Sequence, residues 1–252
     1  MKFIITNDYE EMSRLATEVI LTAVKNQPDL TLCLPSGSTP ILMYKMLVES
    51  YQRNEIDFSH VNFFNMDEYV GLDYDHPDSY AYFTRYHLLD HVNANPDKIF
   101  HPKTKVGNIK ESCQAYSKLL KDFGGIDLAV DGIGDDGHIA FNEPAAFLQP
   151  LTHIVELNQE TIEANAHFFN GDTTKVPTQA VSIGMEEIMK CKKFVVLAAG
   201  KHKAHIFARL FSNENIDPWF PASFLRLHQN VTFILDKEAA ALIPPSELIK
   251  YN

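Results

Sequence analysis

Short apolar runs alternate with helix-length amphipathic segments along nearly the whole chain, and this alternation restricts the fold more than any other feature. Residues 2–6, 30–34, 61–65, 126–130, 193–198 and 231–235 are apolar runs of strand length. Between them, 8–26, 40–50, 79–91, 109–123 and 201–211 read as helices; the first carries Met12, Leu15, Val19, Ile20 and Ala23 at helical spacing. Asn7 or Asp8 and Ser79 are the expected caps. Strand and helix in regular turn predict an α/β fold: a single doubly wound, mostly parallel, Rossmann-like sheet with helices on both faces. The 252 residues suffice for one such domain over 1–252. Residues 152–184 break the rhythm: 152–157 and 180–183 look extended and 160–169 helical. A mobile lid is expected there.

In such a sheet, ligands bind outside the carboxyl ends of the strands. The run 126–130 ends in GIGDDGHIAFNEP, where Gly132, Gly134 and Gly137 are followed or interleaved by Asp136, His138 and Glu143. Asp136 and His138 are close enough for the carboxylate to fix the imidazole tautomer, and such a pair moves protons near neutral pH. The glycines also spell a dinucleotide fingerprint, but that motif needs a helix opening at its third glycine. Here Pro144 and Pro150 follow too soon, and two aspartates would repel a diphosphate.

Three further strand ends carry chemistry. After 30–34 comes Pro35-Ser36-Gly37-Ser38-Thr39-Pro40. This turn can converge backbone N–H groups and hydroxyls on a phosphate, or simply cap a helix. It lacks the lysine of a nucleotide-binding P-loop. After 193–198, Lys201 and Lys203 sit at a helix start, where the helix dipole disfavours cations unless an anion binds or the side chains point to water. After 61–65 comes Asp67-Glu68, a place for a general base or an ordinary polar loop. His202 and His205 share a helix face, but no third ligand stands at metal spacing, so no metal is expected.

The net charge of −11 argues against nucleic acid or an anionic membrane as partner, while leaving room for a small anion in a locally basic pocket. No apolar run approaches the roughly 20 residues of a membrane span. Cys33, Cys113 and Cys191 are odd in number and lack metal-like spacing, and the N-terminus has no secretory pattern; reduced thiols and a cytoplasmic location are expected.

Taken together, FNMDEYVGL (64–72), HPDSY (76–80), GIGDDGHIAFNEP (132–144), VPTQAVSIG (176–184) and PASFLRLH (221–228) resemble the glucosamine-6-phosphate deaminase family, in order and over nearly the whole chain. The related 6-phosphogluconolactonases share the fold and a similar glycine loop, but lack FNEP and MDEY. The resemblance implies conversion of glucosamine 6-phosphate and water to fructose 6-phosphate and ammonia, without organic cofactor or catalytic metal. It implies Asp67 as the base that moves a proton between C2 and C1. It implies His138 as the group that opens the sugar ring, with Asp136 and Glu143 orienting it. Ser36, Gly37, Ser38, Thr39 and Lys203 would hold the 6-phosphate under the lid. The family has an arginine in a context like ANSRFF, where this chain has ANAHFF (164–169), so His167 stands at the phosphate-binding position. Ala146, His153 and Val155 replace the residues by which allosteric members bind N-acetylglucosamine 6-phosphate, so no such activation is expected. Three other functions fit the pattern: a galactosamine-6-phosphate deaminase/isomerase, a 6-phosphogluconolactonase-like hydrolase, and a non-catalytic sugar-phosphate sensor. Self-association is left open.

Overall fold

A computed structural model of the chain describes residues 1–212 and 214–250. The first half contains β1 (Lys2–Thr6), α1 (Tyr9–Asn26), β2 (Thr31–Leu34), α2 (Ile41–Gln52), β3 (Asn62–Asn65), β4 (Asp67–Tyr69), α3 (Tyr80–His87), β5 (Ile99–Phe100), α4 (Ile109–Asp122) and β6 (Leu128–Asp131). The second contains β7 (His153–Glu156), α5 (Gln159–Asn165), β8 (Gln179–Ser182), α6 (Met185–Met189), β9 (Lys193–Ala198), α7 (Ala204–Ser212), β10 (Val231–Asp236) and α8 (Pro245–Lys250). Asp8 caps α1 and Ser79 caps α3, each side chain accepting a backbone N–H three residues on. The expected helices at 160–169 and 201–211 are each an α-helix joined to a short 3-10 turn.

Seven strands form one sheet in the order β1-β10-β9-β6-β2-β3-β5, and every neighbouring pair is parallel. The two-residue period of the strands sorts their side chains into two cores. Cys33, Ala129, Phe194 and Val196 face α4 and α7 on one side. Leu32, Leu34, Val130 and Val195 face α1 and α2 on the other. From β2 the chain winds outward through β3 to β5; from β6 it winds the opposite way, through β9 to β10. The carboxyl ends of β2 and β6 therefore flank the switch in strand order, where an open α/β sheet leaves its crevice.

The remaining strands form a separate antiparallel sheet in the order β4-β8-β7. The doubly wound sheet is as the sequence predicts, but the polar loop expected at 67–69 is a strand of this second sheet. Asp67 pairs with Ser182 and Tyr69 with Ala180. Tyr69, Phe141, Val155, Ile162 and Phe169 form a third, smaller core that joins the small sheet to α5.

Candidate active site

A cavity of about 280 Å³ opens over the switch point and is lined from both sheets. Ser36, Gly37, Ser38, Thr39, Asp67, His138, His167 and Lys203 all line it. Asp136 and Glu143 do not reach its wall; they stand behind His138.

The Ser36–Thr39 turn is held from outside. Tyr9 Oη donates to the Thr39 carbonyl at 3.0 Å, and Tyr44 Oη to the Pro35 carbonyl at 2.5 Å. Gly37 has φ +99°, which admits few other residues. Pro40 occupies the N-cap position of α2, and no side chain caps the helix. The hydroxyls that sequence reading could assign to a routine cap thus face the cavity instead. Lys203 enters from the turn before α7. Its Nζ donates to the Ile133 carbonyl at 2.9 Å and pairs with Asp135 Oδ1 at 2.7 Å.

His138 lies in the loop after β6, its ring flat against Gly134. A Cβ at position 134 would fall 2.2 Å from the ring. Asp136 accepts the His138 backbone N–H at 3.0 Å, and its Oδ1 lies 2.8 Å from His138 Nδ1. This last contact has the length of a hydrogen bond but not its alignment, since Nδ1–H does not point at the oxygen. Glu143 Oε2 lies 4.0 Å from the same nitrogen. Burial disfavours the charged ring, but Asp136, Glu143 and Asp131 outweigh it and hold the imidazole above its ordinary value. Burial also disfavours ionised Asp136, yet the charged ring beside it holds that carboxyl well below the usual range. Glu143 is pushed by burial up to about 7, against the pull of His138. Acids whose environments push them apart around one imidazole make a proton-transfer group.

Asp67 is presented by the small sheet. Glu68 beside it clamps β4 to the start of α3, accepting the N–H groups of Tyr69, Tyr80 and Ala81 at 2.9, 3.0 and 2.8 Å. Among the described residues Asp67 has no such donors. Burial, then the charges of Asp131 and Glu68, raise its carboxyl well above the ordinary value. A carboxylate so placed is a stronger base than a solvated one.

His167 is on the 3-10 turn after α5, exposed at the cavity mouth. Its Nδ1 lies 2.6 Å from the Ala164 carbonyl, which can only accept, so Nδ1 carries the proton. In the neutral ring Nε2 is then an acceptor. His167 can give that nitrogen to a phosphate only as imidazolium, a restriction that the sequence did not reveal.

Two residues of this site escape sequence reasoning. Asn158 caps α5 through its Oδ1, while its Nδ2 donates to Asp136 Oδ2 at 2.9 Å and also to Glu143 Oε2. One amide thus ties α5 to both acids behind His138. The other is Asp131, the last residue of β6, which lines the cavity. Its only sequence signal is its place at the end of an apolar run.

Among the described residues one group has the donors and closeness of a metal site: Asp136, His138 and Glu143, with ligand atoms all within 4.8 Å of one another. Their spacing in the loop conceals this grouping. The donors already engage one another and Asn158, so a cation would have to displace the proton on His138 Nδ1. No helix is long and apolar enough to cross a membrane among the described residues.

Residues 9–234 match the family model described as glucosamine-6-phosphate isomerases/6-phosphogluconolactonase. A glucosamine-6-phosphate deaminase of Thermoanaerobacter sp. (strain X514) is 45% identical over 248 residues, covering 98% of this chain and 97% of that one. The deaminase of Clostridium perfringens (strain 13 / Type A) is 42% identical over 243 residues, covering 96% and 100%. A solved structure of a monomeric glucosamine-6-phosphate deaminase superposes with a TM-score of 0.93 at 36% identity, covering 96% of this chain and 100% of that one. This chain is a member of the glucosamine-6-phosphate isomerase/6-phosphogluconolactonase family.

Proposed function

We propose that the chain deaminates glucosamine 6-phosphate, giving fructose 6-phosphate and ammonia with uptake of one water. The observation that carries this reading is the meeting of three groups on one cavity: a donor-free buried carboxylate, an acid-flanked imidazole, and a turn of free hydroxyls beside a lysine. The Ser36–Thr39 turn and Lys203 take the 6-phosphate, Lys203 exchanging Asp135 for the ligand, with His167 closing over it from the lid. His138 returns a proton to the ring oxygen and accepts one from the C1 hydroxyl as the sugar opens. Asp136 and Glu143 hold its orientation. Asp67 then takes the C2 proton and delivers it at C1, and the resulting C2 imine is hydrolysed to ketone and ammonia. Every step is a proton transfer or an addition of water, so side chains suffice and no cofactor is invoked. A sugar-phosphate substrate is consistent with a cytoplasmic enzyme.

The segment 152–184 acts as the lid in this reading. Asn158 reports its position to the proton-transfer group, because the amide reaches Asp136 and Glu143 only when α5 is docked. The test is ammonia release from glucosamine 6-phosphate and galactosamine 6-phosphate, side by side. Faster turnover of the galactose isomer would transfer the assignment to that sugar, and no ammonia from either would overturn it.

A further inference from the structure

Two carboxylates reach this cavity with no cation in ion-pair contact among the described residues. Asp67 is 9% exposed, and no described residue donates a hydrogen bond to its carboxylate. Asp131 accepts one backbone N–H on each oxygen, from Gly132 at 2.8 Å and Ala140 at 3.0 Å. A carboxylate oxygen has room for a second hydrogen bond, so Asp131 keeps acceptor capacity toward the cavity it lines. The cations nearby are engaged elsewhere: Lys203 with Asp135, and His138 with Asp136. Asp131 ends β6, and Asp67 opens β4 two residues beyond the end of β3. β3 and β6 lie on either side of β2, roughly 10 Å apart at the backbone, and the charge of Asp131 reaches Asp67. Burying two like charges over one cavity is unfavourable unless a cation joins them. The charge of His138 reaches Asp131, but that ring is paired with Asp136. No cation among the described residues pairs with Asp67, and an amino sugar carries one.

We propose that Asp131 is the specificity-determining residue for the amino group: its carboxylate pairs with the ammonium at C2 and so separates an amino-sugar phosphate from its 2-hydroxy counterpart. The proposal rests on the reading of this cavity as an amino-sugar phosphate site. An ammonium gives Asp131 a charge-assisted hydrogen bond, whereas a hydroxyl gives only a neutral donor to the same oxygen. Asp67 gains as well, because a cation between the two acids offsets the charge that opposes its ionisation. The phosphate cradle, made from other strand ends, binds both sugars alike.

The experiment is calorimetric titration with two open-chain ligands that cannot isomerise, 2-amino-2-deoxyglucitol 6-phosphate and glucitol 6-phosphate. Wild type should bind the amine about tenfold to a hundredfold more tightly. Asp131→Asn should erase most of that preference while its affinity for glucitol 6-phosphate stays within about threefold of wild type. Asp131 also tethers Ala140, which sits at φ +49°. The double variant Asp131→Asn/Ala140→Gly therefore repeats the test on a loop that tolerates that conformation without the tether. Wild type with no preference, a preference retained in both variants, or equal loss of both ligands in both variants would overturn the proposal. Wild type that binds neither ligand would instead refute the functional reading beneath it.

Discussion

The seven-stranded sheet is buried on both faces through its central strands, while the three-stranded sheet is buried in β4 and β8 and open to solvent along its outer strand β7. Every residue of β2 and β10 is buried, whereas β7 is buried only at Val155. The two sheets also divide the chemistry. The large sheet fixes the phosphate turn, Lys203 and the His138 loop at the ends of strands that cannot move without opening a core. The small sheet brings Asp67 on β4 and His167 beyond α5. The seam is made of specific hydrogen bonds: Phe141 N–H to Ser182 Oγ at 3.0 Å, Asn142 Nδ2 to the Ile183 carbonyl at 2.9 Å, and the Asn158 bridge. Binding groups therefore belong mainly to the rigid part. Asp67, the proposed proton shuttle, stands on the smaller sheet, whose outer strand β7 is largely exposed, the kind of region from which moving elements are drawn.

The comparison is broken most strongly at Asp67. Asp67→Asn should lower kcat by about 10²–10⁴-fold. The fold should be unharmed, because no described residue donates a hydrogen bond to the carboxylate it replaces; kcat and the thermal midpoint of the variant check both halves. The same residue sets a pH limb. A base acts ionised, and its carboxyl is raised above the ordinary value, so kcat/KM of wild type should fall as pH drops through that raised value. Asp131→Asn removes a repelling charge and should move the limb to lower pH, measured with the same substrate so that its own ionisations cancel. An unmoved limb would separate the two acids.

On the rigid side, Gly134→Ala pushes a methyl into the His138 ring. A displaced catalytic ring should lower kcat by about a hundredfold with the circular dichroism spectrum unchanged. Normal turnover would mean that the ring's seat on Gly134 is incidental.

Phe169→Ala separates the two sheets energetically. Emptying a buried phenylalanine site loses about 3–5 kcal/mol, and Phe169 belongs to the small core alone. Hydrogen exchange in α5 and the turn after it should accelerate while amides of β6, β9 and β10 keep their protection. Uniform loss across both sheets would show that they unfold as one unit.

His167→Arg should lower the half-saturation constant by up to about tenfold, because an arginine donates at every working pH. The smallest effect is expected from chelation, which should leave activity unchanged. Activity lost to a chelator and restored by a divalent ion would make Asp136, His138 and Glu143 a metal site instead.

Six of the seven strands of the large sheet were readable from residue pattern because each is a short apolar run ended by a turn, made nearly continuous by burial on both faces in the central strands. The two-residue β5 was too short to be read. Of the small sheet, β7 and β8 were legible as the extended segments 152–157 and 180–183, but β4 was not. DEY at 67–69 is too short and too acidic to announce a strand; it pairs because Glu68 finds three backbone donors and Tyr69 finds the third core. Residue order placed Asp67, His138, the Ser36–Thr39 turn and Lys203 each at a strand end, and a single topological rule brings such ends to one side. Local sequence also sufficed for the closeness of Asp136 to His138, two residues away. What tertiary structure alone decided are the relations across long separations. Asp131 and Asp67 line one cavity because β6 and β3, which leads directly into β4, flank β2. Asn158 bridges Asp136 and Glu143 because α5 docks on the loop. His167 has its proton fixed on Nδ1 by a carbonyl of its own turn. Strand order and helix docking follow from how two apolar faces are covered, a property of the whole chain, so no local pattern encodes which distant side chains will share a cavity.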